Sequence, residues 1–577
     1  MKGKWFALGC LTSVVVVLAI TLSLFFSLGK MTRAFQKPAP APLKSGSYLY
    51  LKLQGEISDY AQISGPFSFR ESLAVNTLIV KIAKAAEDKD IAGIIMEPKY
   101  LSCGFAVLHE LITALEEFRK SGKPVYTLLD TASNKEYLLA SVTDAIYLNP
   151  SASAGIFLSG LGSEIIFYKD MFDKLGIEFT LFNAGEYKEA GETFTRRNLS
   201  DPVRNNIKQV YYDIYDNMVT TIAASRTLDK ATIKHLFENR DELFINGQKA
   251  IDYGLVDHLS SREDMLENLA IEDDKLVLLS DYKIPKIKQG KQIIAVVYLQ
   301  GMIVPFPGWS MDDIISSGKV AEIIDDIEDN DDIKAVVLRI NSPGGSALES
   351  EILLEMFINL QEKKPMVVSM GNLAASGGYY ISASADYIMA DPYTITGSIG
   401  VAAMFPNITR LADKIGLDNE QLGIGKYSNF ASIYEEMSPE VKAKIIASVQ
   451  STYLEFKTRV SEGRGISLDD VEVVARGQVW VSKRAQEMGL IDAVGNLAAA
   501  VRKAAELAGI EQYSTQYLPE KKSFLQKFLE ERMNLDLKQA LLQDELIQST
   551  ELDRLLTVYS ITRRDPVVTL LPYDLGL

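Results

Sequence analysis

At 577 residues the chain is too long for one ordinary hydrophobic core, so two to four domains are expected. Its 47% apolar and 24% charged residues exclude bulk disorder, and a net charge of −16 argues against a general nucleic-acid binder, which needs a basic face. Two cysteines, Cys10 and Cys103, cannot build a disulfide framework and leave the redox compartment open.

Residues 1–4 form a short flank, and an uncharged run follows over 5–28, from Trp5 to Leu28. About 20 apolar residues at a 1.5 Å rise cross a hydrocarbon core of roughly 30 Å, so a transmembrane anchor is expected here. The run is long for a signal-peptide core, although Ser27-Leu28-Gly29 offers a small-x-small cleavage site as the alternative. Lys2 and Lys4 precede it while Lys30, Arg33 and Lys37 follow, so charge alone does not orient it. Pro38, Pro40 and Pro42 stiffen a spacer over 29–46.

Beyond the spacer the chain repeats itself. Thr127–Pro150 lies over Ser369–Pro392 without a gap, so that Tyr137, Asp144 and Pro150 meet Tyr379, Asp386 and Pro392. Ile91–Ile95 meets Ile333–Val337 in the same register, and Ala250–Asp257 echoes Ala485–Asp492. Three echoes in order predict two homologous domains, 47–280 and 291–510, with a linker over 281–290 and a tail over 511–577. In the second copy Ile293–Leu299, Ala335–Ile340 and Met366–Ser369 read as buried strands, and Leu348–Glu362 has helical apolar spacing. In the first, Phe105–Phe118 reads as an amphipathic helix. Strands alternating with helices predict an α/β fold. The tail reads as helical over Lys521–Leu542 and strand-like over Pro566–Leu571.

Two glycine turns follow strands of the second copy, Asn341-Ser342-Pro343-Gly344-Gly345 and Met370–Gly378, the latter carrying Ser376. Small residues let a substrate carbonyl approach the backbone, and exposed N–H groups can hold an oxyanion. Either turn alone reads as ordinary turn chemistry. The comparison of copies is sharper: Asn134 stands opposite Ser376, Lys135-Glu136 opposite Gly377-Gly378, and Glu97-Pro98-Lys99-Tyr100 opposite Ser-Pro-Gly-Gly. Features a hydrolase needs are thus present in one copy and absent from the other, which packing alone does not predict.

The base for such a serine is not obvious. His109, His235 and His258 all lie in the first copy and read as surface or packing residues. No His-x-x-x-His, Cys-x-x-Cys or phosphate-loop spacing occurs, so no metal and no nucleotide cofactor is expected. A lysine can serve if it is neutral; a normal lysine with pKa ~10.4 is not, but burial in an apolar wall lowers that by about 3 units. Residue types alone leave many candidates among 60 basic side chains.

Ser342-Pro-Gly-Gly345, Met370–Tyr379 and Thr396–Gly400 together resemble the signal peptide peptidase A (protease IV) family of serine peptidases, in its long, duplicated form. Asn183–Ala190 resembles the family's lysine-bearing segment. The resemblance implies two tandem ClpP/crotonase-like domains of β-β-α repeats after an N-terminal transmembrane helix. It implies Ser376 as nucleophile and Lys188 as general base, with Gly344 or Gly345 and the N–H of Gly377 as the oxyanion hole. Ser398 would orient the amine. The copies agree, since Gly185–Lys188 lies over Gly425–Ser428 and the lysine belongs to one copy only. The family also implies cleaved signal peptides and other apolar peptides as substrates, no cofactor, and a homo-oligomer, with four copies expected. Its members of this form sit in the bacterial inner membrane, single-pass and facing the periplasm. A crotonase-like enzyme acting on acyl-CoA and a catalytically inactive membrane scaffold are the rival readings.

Overall fold

The computed structural model describes residues 43–60, 73–188, 190–283, 290–305 and 314–520, and the backbone of 568–570. The expected anchor, most of the spacer and the expected helix over Lys521–Leu542 lie outside the described residues. Among those described, no helix is long and apolar enough to cross a membrane.

Two parallel sheets have the same strand order. The first runs Leu276–Leu278, Ser47–Ser58, Ile91–Ser102, Val125–Leu129, Ala145–Leu148, His258–Leu259. The second runs Ser514–Leu518, Ile293–Gln300, Ile333–Ser342, Met366–Ala375, Tyr387–Ala390, Ala493–Val494. Parallel neighbours need a crossover, and the helices Phe105–Arg119 and Ala347–Gln361 supply equivalent ones. Central strands such as Ile333–Ser342 are buried nearly throughout, which is why they read as near-continuous apolar runs. The edge strand Ser514–Leu518 carries the second sheet past residue 510.

The register shows which residues are equivalent. Ser47 pairs with Ile91 and Tyr48 with Gly93; Ile293 pairs with Ile333 and Ile294 with Ala335, so both sheets skip one residue at the same place. Ile91 therefore matches Ile333, and the counterpart of Ser342-Pro-Gly-Gly345 is Tyr100-Leu101-Ser102-Cys103. This corrects the alignment on Glu97–Tyr100, which a shared proline had attracted. The new counterpart also lacks glycine, so the asymmetry between the copies stands.

The copies interlock. Strand Glu178–Ala184 of the first pairs antiparallel with Val401–Asn407 of the second, from Ala184 on Val401 to Glu178 on Asn407. Asn372 of the second copy caps a helix of the first: its Oδ1 accepts from the N–H of Ala106 and of Val107, each at 3.1 Å. A Cβ on Gly104 would overlap the Asn372 side chain, so that helix begins on glycine. Behind this contact Arg339, fully buried, meets Asp59 Oδ2 at 2.7 Å and Glu110 Oε1 at 3.2 Å, both from the first copy.

Candidate active site

Strand Met366–Ala375 delivers the serine. It was expected to stop at Ser369 but runs on, because Leu373, Ala374 and Ala375 pair with Ile395, Thr396 and Gly397 and small side chains fit that crowded edge. Ser376 then turns the chain at φ 57° and ψ −118°, ahead of the short helix Gly377–Tyr380. A non-glycine residue there bears strain on the order of 1–3 kcal/mol, which its surroundings must offset. Its N–H donates to Gly397 O at 2.8 Å, and its carbonyl accepts from Tyr380 N–H at 2.8 Å.

Lys188 arrives from the first copy, on the loop after Glu178–Ala184. The antiparallel pairing of that strand with Val401–Asn407 carries it across the junction. Its Nζ lies 2.7 Å from Ser376 Oγ, and 3.0 Å from both the carbonyl oxygen and the Oγ of Ser398. Lys188, Ser376 and Ser398 are 2%, 0% and 1% exposed. Ser398 is itself left-handed at φ 52°, pinned by its N–H to Gln478 O. Lys188 of the first copy thus meets Ser376 and Ser398 of the second in one buried contact.

The glycine turns come together backbone to backbone. Gly344–Ser346 forms a short strand beside Ile303, and a Cβ on Gly345 would overlap the Ile303 carbonyl oxygen. A Cβ on Gly378 would sit 2.8 Å from Ser342 O. Gly344 has φ 97°, and its N–H donates to Ser342 Oγ at 3.1 Å. Gly377 opens its helix, where a first N–H has no acceptor within the helix. On the other side, the backbone of Val568–Leu570 runs antiparallel to Gly344–Ser346 and touches Val401–Asn407 through Val568.

The equivalent place in the first copy is filled. Asn134, in the position of Ser376, donates through Nδ2 to Gly160 O at 2.7 Å. Glu136, in the position of Gly378, turns inward: its Oε1 accepts from Leu101 N–H at 2.6 Å and its Oε2 from Ser133 N–H at 3.0 Å. Its carboxylate occupies a backbone donor of the very turn that is glycine-rich in the second copy. The histidines are engaged elsewhere. His109 pairs through Nδ1 with Asp391 at 2.7 Å, His258 stacks on Tyr147, and His235 lies in helix Lys230–Glu238.

Two contributors went unnoticed in the sequence. Asn372 lies within the Met370–Tyr379 run, where nothing local announces that it caps a helix of the other copy. The turn Arg476-Gly477-Gln478 drew no notice, although overlaying Ala485 on Ala250 sets Gly477 against Glu242, another glycine in one copy only.

The profile of Peptidase family S49 matches residues 117–276 and 358–511, one stretch in each copy. Protease 4 of Haemophilus influenzae is 32% identical over 533 residues, covering 86% of this chain and 83% of that protein. The chloroplastic serine protease SPPA of Arabidopsis thaliana is 31% identical over 483 residues, covering 81% and 70%. Protease 4 of Salmonella typhi is 30% identical over 466 residues, covering 78% and 74%. With a matching profile across both copies and relatives alike over most of their length, the chain belongs to Peptidase family S49 and is a serine peptidase.

Proposed function

We propose that the chain is a membrane-anchored endopeptidase in which Ser376 is the nucleophile and Lys188 of the other copy its general base. The observation that carries this reading is the buried 2.7 Å contact between Lys188 Nζ and Ser376 Oγ. A neutral amine has two N–H donors and one lone pair. The lone pair would accept the Ser376 hydroxyl proton while the N–H groups donate to Ser398 O and Oγ. Burial favours the neutral form, since removal from water penalises the charged state of an amine.

In this mechanism Ser376 Oγ attacks the peptide carbonyl carbon as its proton passes to Lys188 Nζ. The resulting oxyanion is held by backbone N–H groups around Gly377 and the Gly344-Gly345 turn. The ammonium then gives its proton to the leaving amine, and the C–N bond breaks to leave an ester on Ser376. Lys188 next takes a proton from water, hydroxide adds to the ester, and the proton returns to Ser376 Oγ as the acid leaves. The pairing of Val568–Leu570 with Gly344–Ser346 supports an extended substrate lying along that strand.

The same proposal takes cleaved signal peptides and similar apolar peptides as substrates. It places the run 5–28 in the bacterial inner membrane with the peptidase facing the periplasm, and it expects four copies per particle, which light scattering on the detergent-solubilised chain reads. A fluorophosphonate probe tests the chemistry. Ser376→Ala should abolish labelling, and Lys188→Ala should lower turnover of an apolar peptide by at least about 10²–10⁴-fold with the fold intact by circular dichroism. Undiminished labelling of Ser376→Ala would remove that serine from the mechanism.

A further inference from the structure

We propose that the turn Arg476-Gly477-Gln478 is the positioning element of the catalytic amine, seating the lysine loop and the Ser398 backbone against one another. The inference rests on the reading of Lys188 as general base.

The turn lies between helix Leu468–Val474 and strand Val479–Val481, with φ 56° at Arg476 and 83° at Gly477. One side holds the lysine loop. Arg476 O accepts from Tyr187 N–H at 2.9 Å, and Arg476 Nη1 meets Glu186 Oε1 at 3.0 Å. A Cβ on Gly185 would fall 2.5 Å from Arg476 O, and a Cβ on Gly477 would fall 2.5, 2.7 and 2.8 Å from Lys188 N, Cα and Cβ. The other side holds the amine's acceptors. Gly477 N–H donates to Ile399 O at 2.8 Å, and Gln478 O accepts from Ser398 N–H at 2.6 Å.

One turn therefore bonds Tyr187 through Arg476 and Ser398 through Gln478, while Gly477 between them lies against the backbone of Lys188. A methyl group at 477 meets the lysine's own N, Cα and Cβ, which cannot swing aside as a flexible side chain would. Restoring ordinary contact requires a shift of about 1 Å, and a misplacement of that size costs on the order of 10²-fold in rate. The glycine is also confined to the copy that receives the lysine: the first copy has Glu242 there.

The test compares Gly477→Ala and Gly185→Ala, which wedge the same junction from opposite sides, with Gly465→Ala. The last places a methyl in open space at the end of helix Pro439–Arg464, at φ 64° against 83° at Gly477 and 110° at Gly185. Both wedge variants, folded by circular dichroism at the assay temperature, should lose about 10²-fold in kcat with KM within about twofold. Their pH–kcat midpoint should rise, because a displaced amine meets water and holds its proton more tightly. Gly465→Ala should keep the parent kcat and midpoint. A wedge variant that is folded and whose pH–kcat profile superimposes on the parent overturns the proposal. So does a fall in folded protein alone with no change in midpoint. If Gly477→Ala fails to fold, Gly185→Ala decides. Should Lys188→Ala retain turnover, the general-base reading falls instead; an inactive Lys188→Ala beside unmoved wedge variants removes only the positioning role.

Discussion

Ser376 carries a left-handed backbone that a glycine would adopt without strain, and the strain fits a residue kept for its side chain. Lys188 is the harder residue to see. Nothing in Gly185–Lys188 marks it among 60 basic residues, and only the resemblance singles it out. Its environment depends on Ser398, whose carbonyl oxygen and Oγ both lie 3.0 Å from the amine. Ser398→Ala removes one acceptor and leaves the other, a loss of about 1 kcal/mol. The expected outcome is a fall of roughly fivefold to tenfold in kcat at nearly constant KM, measured by steady-state hydrolysis of a peptide. An unchanged kcat would place Ser398 Oγ outside the amine's working contacts.

At the level of elements, each copy positions the other. The strand Glu178–Ala184 has no place in its own parallel sheet; it lies on Val401–Asn407 and so brings the lysine to the serine. In the reverse direction, Asn372 reaches from the serine strand to the N–H groups of Ala106 and Val107. Helix N-terminal N–H groups lack partners inside the helix, so a side-chain acceptor stabilises them. Asn372→Ala is expected to cost about 1 kcal/mol in urea unfolding, and Asn372→Asp, which keeps the acceptor oxygen, to restore most of it. Equal losses in both variants would show that the side chain acts by packing. The continuation of this strand to Ala375 is not legible in the sequence, because Gly371, Ala374 and Ala375 have low strand propensity; pairing with Ile395–Gly397 overrides it.

Across the whole molecule the junction is sealed by charge as well as by packing. Arg339 Nε and Nη2 donate to the two oxygens of Asp59 at 2.7 and 3.1 Å, and Nη1 donates to Ser369 Oγ at 2.9 Å. Burial disfavours the guanidinium charge, but Asp59 and Glu110 outweigh it and hold Arg339 above its ordinary range. One guanidinium does not neutralise two buried carboxylates, and Asp59 is the closer. Burial therefore pushes Glu110 up to about 7, against the pull of Arg339 and with Asp391 adding to the rise. A carboxyl whose folded value lies above its ordinary 4.5 contributes stability that is full below pH 4.5 and is lost as pH rises through about 7. Glu110→Gln should thus match the parent near pH 4 and be the more stable protein at pH 8, by at most about 3 kcal/mol. Urea midpoints across that range measure it; a variant less stable than the parent at pH 8 would show that the ionised carboxylate is needed by Arg339.

The sequence alone determined the α/β class, and it pointed to the duplication and to Ser376 as the candidate serine. Apolar runs of strand length record burial on both faces, and a glycine-rich turn kept in one copy but lost from the other records a local chemical demand. These signals are local or repeat at a fixed spacing, so a single chain displays them. The meeting of residues 188, 376 and 398, the cap from Asn372, the seat at Gly477 and the Arg339 cluster were decided only by the tertiary structure. Each depends on how one copy lies against the other, and a contact between residues hundreds of positions apart has no period or spacing in the chain to announce it.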